Sequence, residues 1–135
     1  MPNLLEKNIT GKIGPQKYLC TISWRNGTFI MDEPENIEGK DLGPDPYTIL
    51  LASLAGCTLS TLRMYIDRKD WDIPEINISL NLYQENDIEL TTTISRAISF
   101  PKTIDEETKN RLLLIAEKCP VSKILKNKIV INTTI

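Results

Sequence analysis

The chain has 135 residues, enough for one domain with one sizeable core, and its 41% apolar and 25% charged residues suit a globular protein. A net charge of −2 with dispersed Lys and Arg argues against a nucleic-acid surface. There is no histidine, which excludes Ser-His-Asp and Cys-His nucleophile activation and every histidine-based metal site.

Met1 to Lys7 lacks the basic start and apolar run of a signal peptide. The longest apolar stretch, Tyr47 to Gly56, includes Thr48 and Ser53 and is too short to span a bilayer. No membrane partner is therefore expected, and a cytoplasmic location follows as the default. Lys17 to Trp24 and Thr28 to Met31 read as short strands joined at Asn26-Gly27, a strong turn dipeptide. Asp32 to Pro46 is a loop rich in Asp, Glu, Gly and Pro. A long helix is expected from Pro46 to about Lys69, with Asp45 as its cap and Pro46 in its first turn. Its first half is apolar nearly all round, which predicts burial on most sides.

Beyond it, Ile76, Ile78, Leu80 and Leu82 alternate with polar residues, the period of a half-buried strand. Ile88 to Ser99 reads as its hairpin partner across a turn at Gln84 to Asp87. Thr103-Ile104-Asp105-Glu106 has the form of a capping box and opens a helix that stops before Pro120. A short helix from Pro120 to about Lys126 leads into a last expected strand carrying Ile129, Ile131, Thr133 and Ile135. The whole reads as a single α+β domain over residues 1–135.

The chemistry available is that of thiols: Cys20, Cys57 and Cys119. No Cys-x-x-Cys pair supports a structural zinc, so no metal and no cofactor are expected. Cys57 shares a helix face with Ser53, Leu54, Ser60 and Thr61; a small buried hydrophobe and a redox thiol both fit that setting. Cys119 precedes Pro120 and takes the N-cap of the short helix, where the dipole, Lys118 and Lys123 favour a thiolate. A simple capping role fits it equally. Cys20 reads as structural.

The run Gly43-Pro44-Asp45-Pro46-Tyr47-Thr48-Ile49-Leu50-Leu51-Ala52-Ser53-Leu54-Ala55-Gly56-Cys57-Thr58, followed by Leu62-Arg63-Met64-Tyr65, resembles the first-cysteine signature of the OsmC/Ohr family. Lys118-Cys119-Pro120-Val121 with Lys123 and Leu125 resembles the second, with 61 residues between the two cysteines. The resemblance runs from about Lys17 to the C-terminus and is nearest the OsmC-like branch. It implies an OsmC-like fold, with sheets wrapped around a long buried central helix in an intertwined homodimer. It implies thiol-dependent reduction of organic hydroperoxides, with hydrogen peroxide as a further substrate. Cys57 would be the peroxidatic residue, Cys119 the resolving one, Arg25 the cation that polarises thiolate and peroxide, and a lipoyl-type dithiol the reductant. The peroxidases carry a glutamate ten residues before the first cysteine, where this chain has Tyr47, and the branch often has His where Ser122 stands. Tyr47 could still hydrogen-bond the guanidinium, without a carboxylate's bidentate pairing. Two other readings accompany the peroxidase: a thiol redox sensor with little turnover, and a binding protein for a small hydrophobic ligand. Helix-dipole reasoning makes Cys119 the more acidic thiol, whereas the resemblance gives the attack to Cys57.

Overall fold

The computed structural model describes residues 2–135. The chain is α+β and forms two compact units, the first ending at Leu50 and the second running from Leu51 to Ile135.

The first unit holds an antiparallel sheet of β1 (Thr10–Ile13), β2 (Cys20–Trp24) and β3 (Gly27–Met31), in that order. The strand β1 carries no apolar alternation, and nothing in its four residues marks it as a strand. Trp24 pairs with Gly27, so the two turn residues are Arg25 and Asn26, one place ahead of the expected dipeptide. The reason lies in Trp24: a Cβ on Gly27 would fall 2.8 Å from the indole, so the bare glycine is used in the strand to admit the ring. The loop beyond β3 is pinned by Asp32, which is buried and accepts N–H donation from Glu33 (2.8 Å), Lys40 (3.3 Å) and Leu42 (3.2 Å). Burial alone would raise its carboxyl, but these donors and the Lys40 charge hold it below the ordinary 3.8. Gly39 is required in the same loop, since a Cβ there would lie 1.8 Å from the Glu33 carbonyl oxygen.

The helix α1 spans Pro46–Arg68. Asp45 starts it as expected: its carbonyl accepts from Ile49 N–H (3.1 Å), and its carboxylate accepts from the Thr48 hydroxyl. Burial departs from expectation. Only Leu54, Thr58, Leu62 and Ile66 are buried, a single stripe at four-residue spacing. Ala52, Ser53, Gly56, Ser60 and Met64 are exposed, because this chain supplies cover for one face of the helix only. Counted whole, α1 is also longer than its apolar run suggested: an 18-residue window of mean hydropathy 1.5 has the length and composition of a membrane span. Its lower half is nonetheless built into the core of the second unit, where Leu62 and Ile66 pack with Ile73, Ile104, Leu112 and Ala116. The helix ends on Asp70 in the left-handed region (φ 55°), with Trp71 N–H reaching back to the Ile66 carbonyl (3.1 Å) as in a Schellman cap. Trp71 thereby meets Tyr65 edge to face at 5.6 Å.

The strands β4 (Asn77–Asn86) and β5 (Leu90–Ser99) pair over their full length, so the turn falls at Asp87 to Glu89 and not at Gln84 to Asp87. Gln84 and Glu85 remain in the ladder opposite Thr92 and Thr91. The helix α2 (Glu106–Ala116) is capped by Asp105, not by Thr103. Ile104 is buried in the core and sits in the extended segment before the cap, which removes Thr103 from the helix start. The helix α3 spans Pro120–Leu125, as expected. The last expected strand does not form. Lys128–Ile135 has no partner among the described strands, and Ile129, Val130 and Ile131 stay exposed.

Leu62 has no exposed surface and stands at the centre of this core. Leu62→Ala should lower the unfolding free energy by about 2–5 kcal/mol, through lost transfer energy and a residual cavity. Urea denaturation followed by tryptophan fluorescence measures it, and a change under about 1 kcal/mol, well below the cost of truncating a buried leucine, would contradict this packing.

Candidate functional site

Two segments of the second unit meet at sulfur. The first is the middle of α1. Thr58 belongs to the buried stripe and has no exposed surface; Cys57, one position back, lies at the edge of the stripe and is half-buried. The second is the start of α3. Pro120 at the first helical position fixes the backbone so that the next two N–H groups are free, and Cys119 at the N-cap takes that of Ser122.

Those two N–H groups are divided between the sulfurs. Val121 N–H donates to Cys57 Sγ at 3.5 Å, and Ser122 N–H donates to Cys119 Sγ at 3.4 Å. The two sulfurs are near enough for each thiol to shift the acidity of the other. Thr58 Oγ1 lies 3.8 Å from Cys119 Sγ and donates at 2.7 Å to the Leu54 carbonyl. Cys119 has no exposed surface.

The charges divide accordingly. Burial pushes the Cys57 thiol up; Val121 N–H opposes this, but donation to Cys119 and the negative charge of Cys119 add to it. Burial would also push Cys119 up, yet Ser122 N–H, the Cys57 thiol, the Thr58 hydroxyl and Val121 N–H together outweigh it and hold Cys119 below the ordinary 9.0. Of the two, Cys57 is therefore the weaker acid and Cys119 the stronger.

A cation stands behind this pair. Arg96 of β5 donates through Nη1 to Thr58 Oγ1 at 2.8 Å and through Nη2 to Glu117 Oε1 at 3.4 Å, with its side chain only 12% exposed. Lys126 grips the other Glu117 oxygen, and this bond, with Arg96 in support, keeps the Glu117 carboxyl below its ordinary value against the effect of burial. Sequence reasoning passed over Arg96, Thr58 and Glu117. The signal for Arg96 was present: Ile94, Arg96 and Ile98 share the inward face of β5, so a guanidinium occupies an apolar position of the alternation.

Of the residues expected at the site, Cys57 and Cys119 are brought together. Arg25 lies in the β2–β3 turn, fully on the exposed surface of the first unit. Tyr47 stands in the first turn of α1, 58% exposed. Cys20 is half-buried at the start of β2. A groove of about 690 Å³ between β5 and α2 has Arg96 and Glu117 among its lining residues, but neither cysteine. Among the described residues no group of three His, Cys, Asp or Glu is arranged to hold a metal.

The family model for OsmC-like proteins matches residues 39–134. The chain is similar in structure to a Psychrobacter arcticus protein described as osmotic stress induced and of a detoxification response (TM-score 0.74, 21% identity, 87% of each chain). It is similar to an organic hydroperoxide resistance protein from Elizabethkingia anophelis (TM-score 0.71, 18% identity, 93% of this chain and 91% of that one). It is also similar to the organic hydroperoxide resistance protein OhrB of Bacillus subtilis (TM-score 0.66, 19% identity, 88% and 89%). No curated protein matches the chain.

The geometry makes a spectroscopic prediction. Cys57→Ser should keep a thiolate absorbance in the ultraviolet that titrates below 9.0, and Cys119→Ser should lose it, because the depressed thiol is Cys119. The reverse pattern would move the resting charge to Cys57.

Proposed function

Because the chain belongs to the OsmC-like protein family, we propose that it is a thiol peroxidase that reduces organic hydroperoxides through Cys57 and Cys119. The observation that carries this is the pair of neighbouring sulfurs, each with its own backbone N–H donor at the start of α3. The roles follow from access. Cys119 has no exposed surface, so peroxide meets Cys57 first. The Cys119 thiolate takes the Cys57 proton, and the Cys57 sulfur attacks the O–O bond. An S–O bond forms, the O–O bond breaks, and the alkoxide leaves and is protonated to the alcohol. Sulfur is oxidised to the sulfenic acid and the peroxide is reduced. Cys119, again a thiolate once that proton is passed on, attacks the sulfenic sulfur; the disulfide forms and hydroxide leaves as water. A lipoyl-type dithiol then restores both thiols by exchange. Arg25 is the candidate cation for the peroxide, with Tyr47 as its hydroxyl partner. Three free cysteines suit a reducing cytoplasm.

Stopped-flow mixing with cumene hydroperoxide and dihydrolipoamide tests the reading. Cys57→Ser should abolish turnover. Cys119→Ser should permit a single oxidation and leave a dimedone-reactive sulfenic acid on Cys57, and Arg25→Ala should slow the first step. Dimedone labelling of Cys119 in place of Cys57 in the wild-type protein would reverse the two roles. Redox sensing without turnover has one observation in its favour, the neutral Tyr47 where the peroxidases have glutamate; oxidation by one equivalent of peroxide with no recycling by the dithiol would select it.

The working form in this proposal is a homodimer. One face of α1 and the apolar residues of Lys128–Ile135 are left exposed in a single chain. A second copy that covered them would bury more than about 2,000 Å² in total, the range of obligate interfaces. Light scattering at micromolar concentration should give twice the chain mass of 15.3 kDa, and a stable folded monomer would refute the assembly.

A further inference from the structure

Arg96 is out of place as a surface charge. Its side chain is 12% exposed, it occupies an inward position between Ile94 and Ile98, and its shorter hydrogen bond goes to a hydroxyl and not to Glu117. A link between β5 and the end of α2 would need only the Glu117 contact. The second bond, at 2.8 Å to Thr58 Oγ1, requires its own account.

A threonine hydroxyl has one proton and two lone pairs, and a guanidinium donates without ever accepting. Arg96 therefore takes a lone pair of Thr58 and leaves the single proton to be given elsewhere. Two acceptors face it: the Leu54 carbonyl at 2.7 Å and Cys119 Sγ at 3.8 Å. The carbonyl is a constant acceptor. The sulfur is a good one as a thiolate and a poor one in a disulfide.

We propose that Arg96 and Thr58 are positioning residues that act on Cys119: the guanidinium fixes the hydroxyl so that its proton turns from the Leu54 carbonyl to Cys119 whenever that sulfur carries charge. The titratable groups facing Cys119 are Cys57 from α1, Arg96 from β5 through Thr58, and Glu117 after α2, which Lys126 holds from beyond α3. This rests on the reading of Cys57 and Cys119 as a redox pair. It assigns the effect to the reductive half of the cycle. The incoming dithiol attacks the reachable Cys57 sulfur, the S–S bond breaks, and Cys119 leaves with the electron pair as a thiolate. A mixed disulfide remains on Cys57, and the second thiol of the reductant resolves it. A leaving thiolate that is better stabilised leaves faster.

Two measurements test this, and neither uses peroxide. In a Cys57→Ser background, the ultraviolet thiolate titration of Cys119 should move up by about one pH unit in Thr58→Val and in Arg96→Met, roughly a tenfold loss of thiolate at fixed pH. Thr58→Ser, which keeps the hydroxyl, should titrate like the parent. In the protein with both cysteines, the disulfide is formed with the thiol oxidant diamide and reduced by dihydrolipoamide. Its reduction should slow several-fold in Thr58→Val and Arg96→Met and not in Thr58→Ser. If Thr58→Val does not fold, Arg96→Gln carries both measurements, since it leaves Thr58 in place. Titrations and reduction rates that match the parent in the Val and Met variants would overturn the proposal, as would a Thr58→Ser variant as impaired as Thr58→Val. Failure of the wild-type protein to consume peroxide would sink the peroxidase reading and leave these two results standing.

Discussion

A negative charge taken out of water costs several kcal/mol unless donors replace the lost hydration, and Cys119 sits where water does not reach. A chain without histidine must find those donors elsewhere. They come from the Ser122 N–H and the Thr58 hydroxyl, with the Arg96 guanidinium behind the hydroxyl. Each donor depends on a different piece of the fold. Pro120 at the head of α3 presents the backbone donors, the register of α1 presents Cys57 and Thr58, and the pairing of β5 with β4 sets Arg96 opposite Leu80. A shift of one residue in α1 rotates its side chains by about 100° and would remove both Cys57 and Thr58 from the sulfur.

The same helix register explains why the two sulfurs differ. Thr58 lies in the buried stripe with Leu54, Leu62 and Ile66, and its neighbour Cys57 is turned to the margin of that stripe. One thiol is left within reach of solvent, and the other is enclosed by the residues that stabilise its charge. The stripe is narrow because the chain covers only one side of α1. A helix apolar on nearly all sides, with a single buried row, leaves surface that solvent does not favour. In the dimeric reading that surface is cover awaiting its second half, and the unpaired run of Ile129, Val130 and Ile131 belongs to the same account.

Local signals were legible in the sequence and long-range ones were not. Asp45-Pro46 opening α1, Cys119-Pro120 opening α3, and the alternation of Ile78, Leu80 and Leu82 in β4 each depend on a few neighbouring residues, and each is found. The N-cap of α2 was misread because Thr103 and Glu106 have the right spacing, while the burial of Ile104 is a tertiary demand that spacing does not contain. The strand expected at Ile129 to Ile135 has the right period, but a strand also needs a neighbour to bond, and none of the five others supplies one. At the site, the acidity of Cys119 was readable from its cap position. Arg96 was readable in principle, as a charge among the apolar positions of β5, but its partner Thr58 lies 38 residues away on another element.

Separating the reachable sulfur from the charged one has a chemical consequence. Overoxidation of a cysteine follows thiolate character and exposure together. Here the two are divided: Cys57 is the more accessible sulfur and its thiol is pushed up, while Cys119 is enclosed and its thiol is held below the ordinary 9.0. A carboxylate at position 47 would offer an arginine a charge-assisted, bidentate partner, which the neutral Tyr47 does not. All the donors observed on the two sulfurs belong to the second unit, and they favour the charge on Cys119. In the proposed cycle, a stabilised Cys119 leaving group would favour reduction of the disulfide.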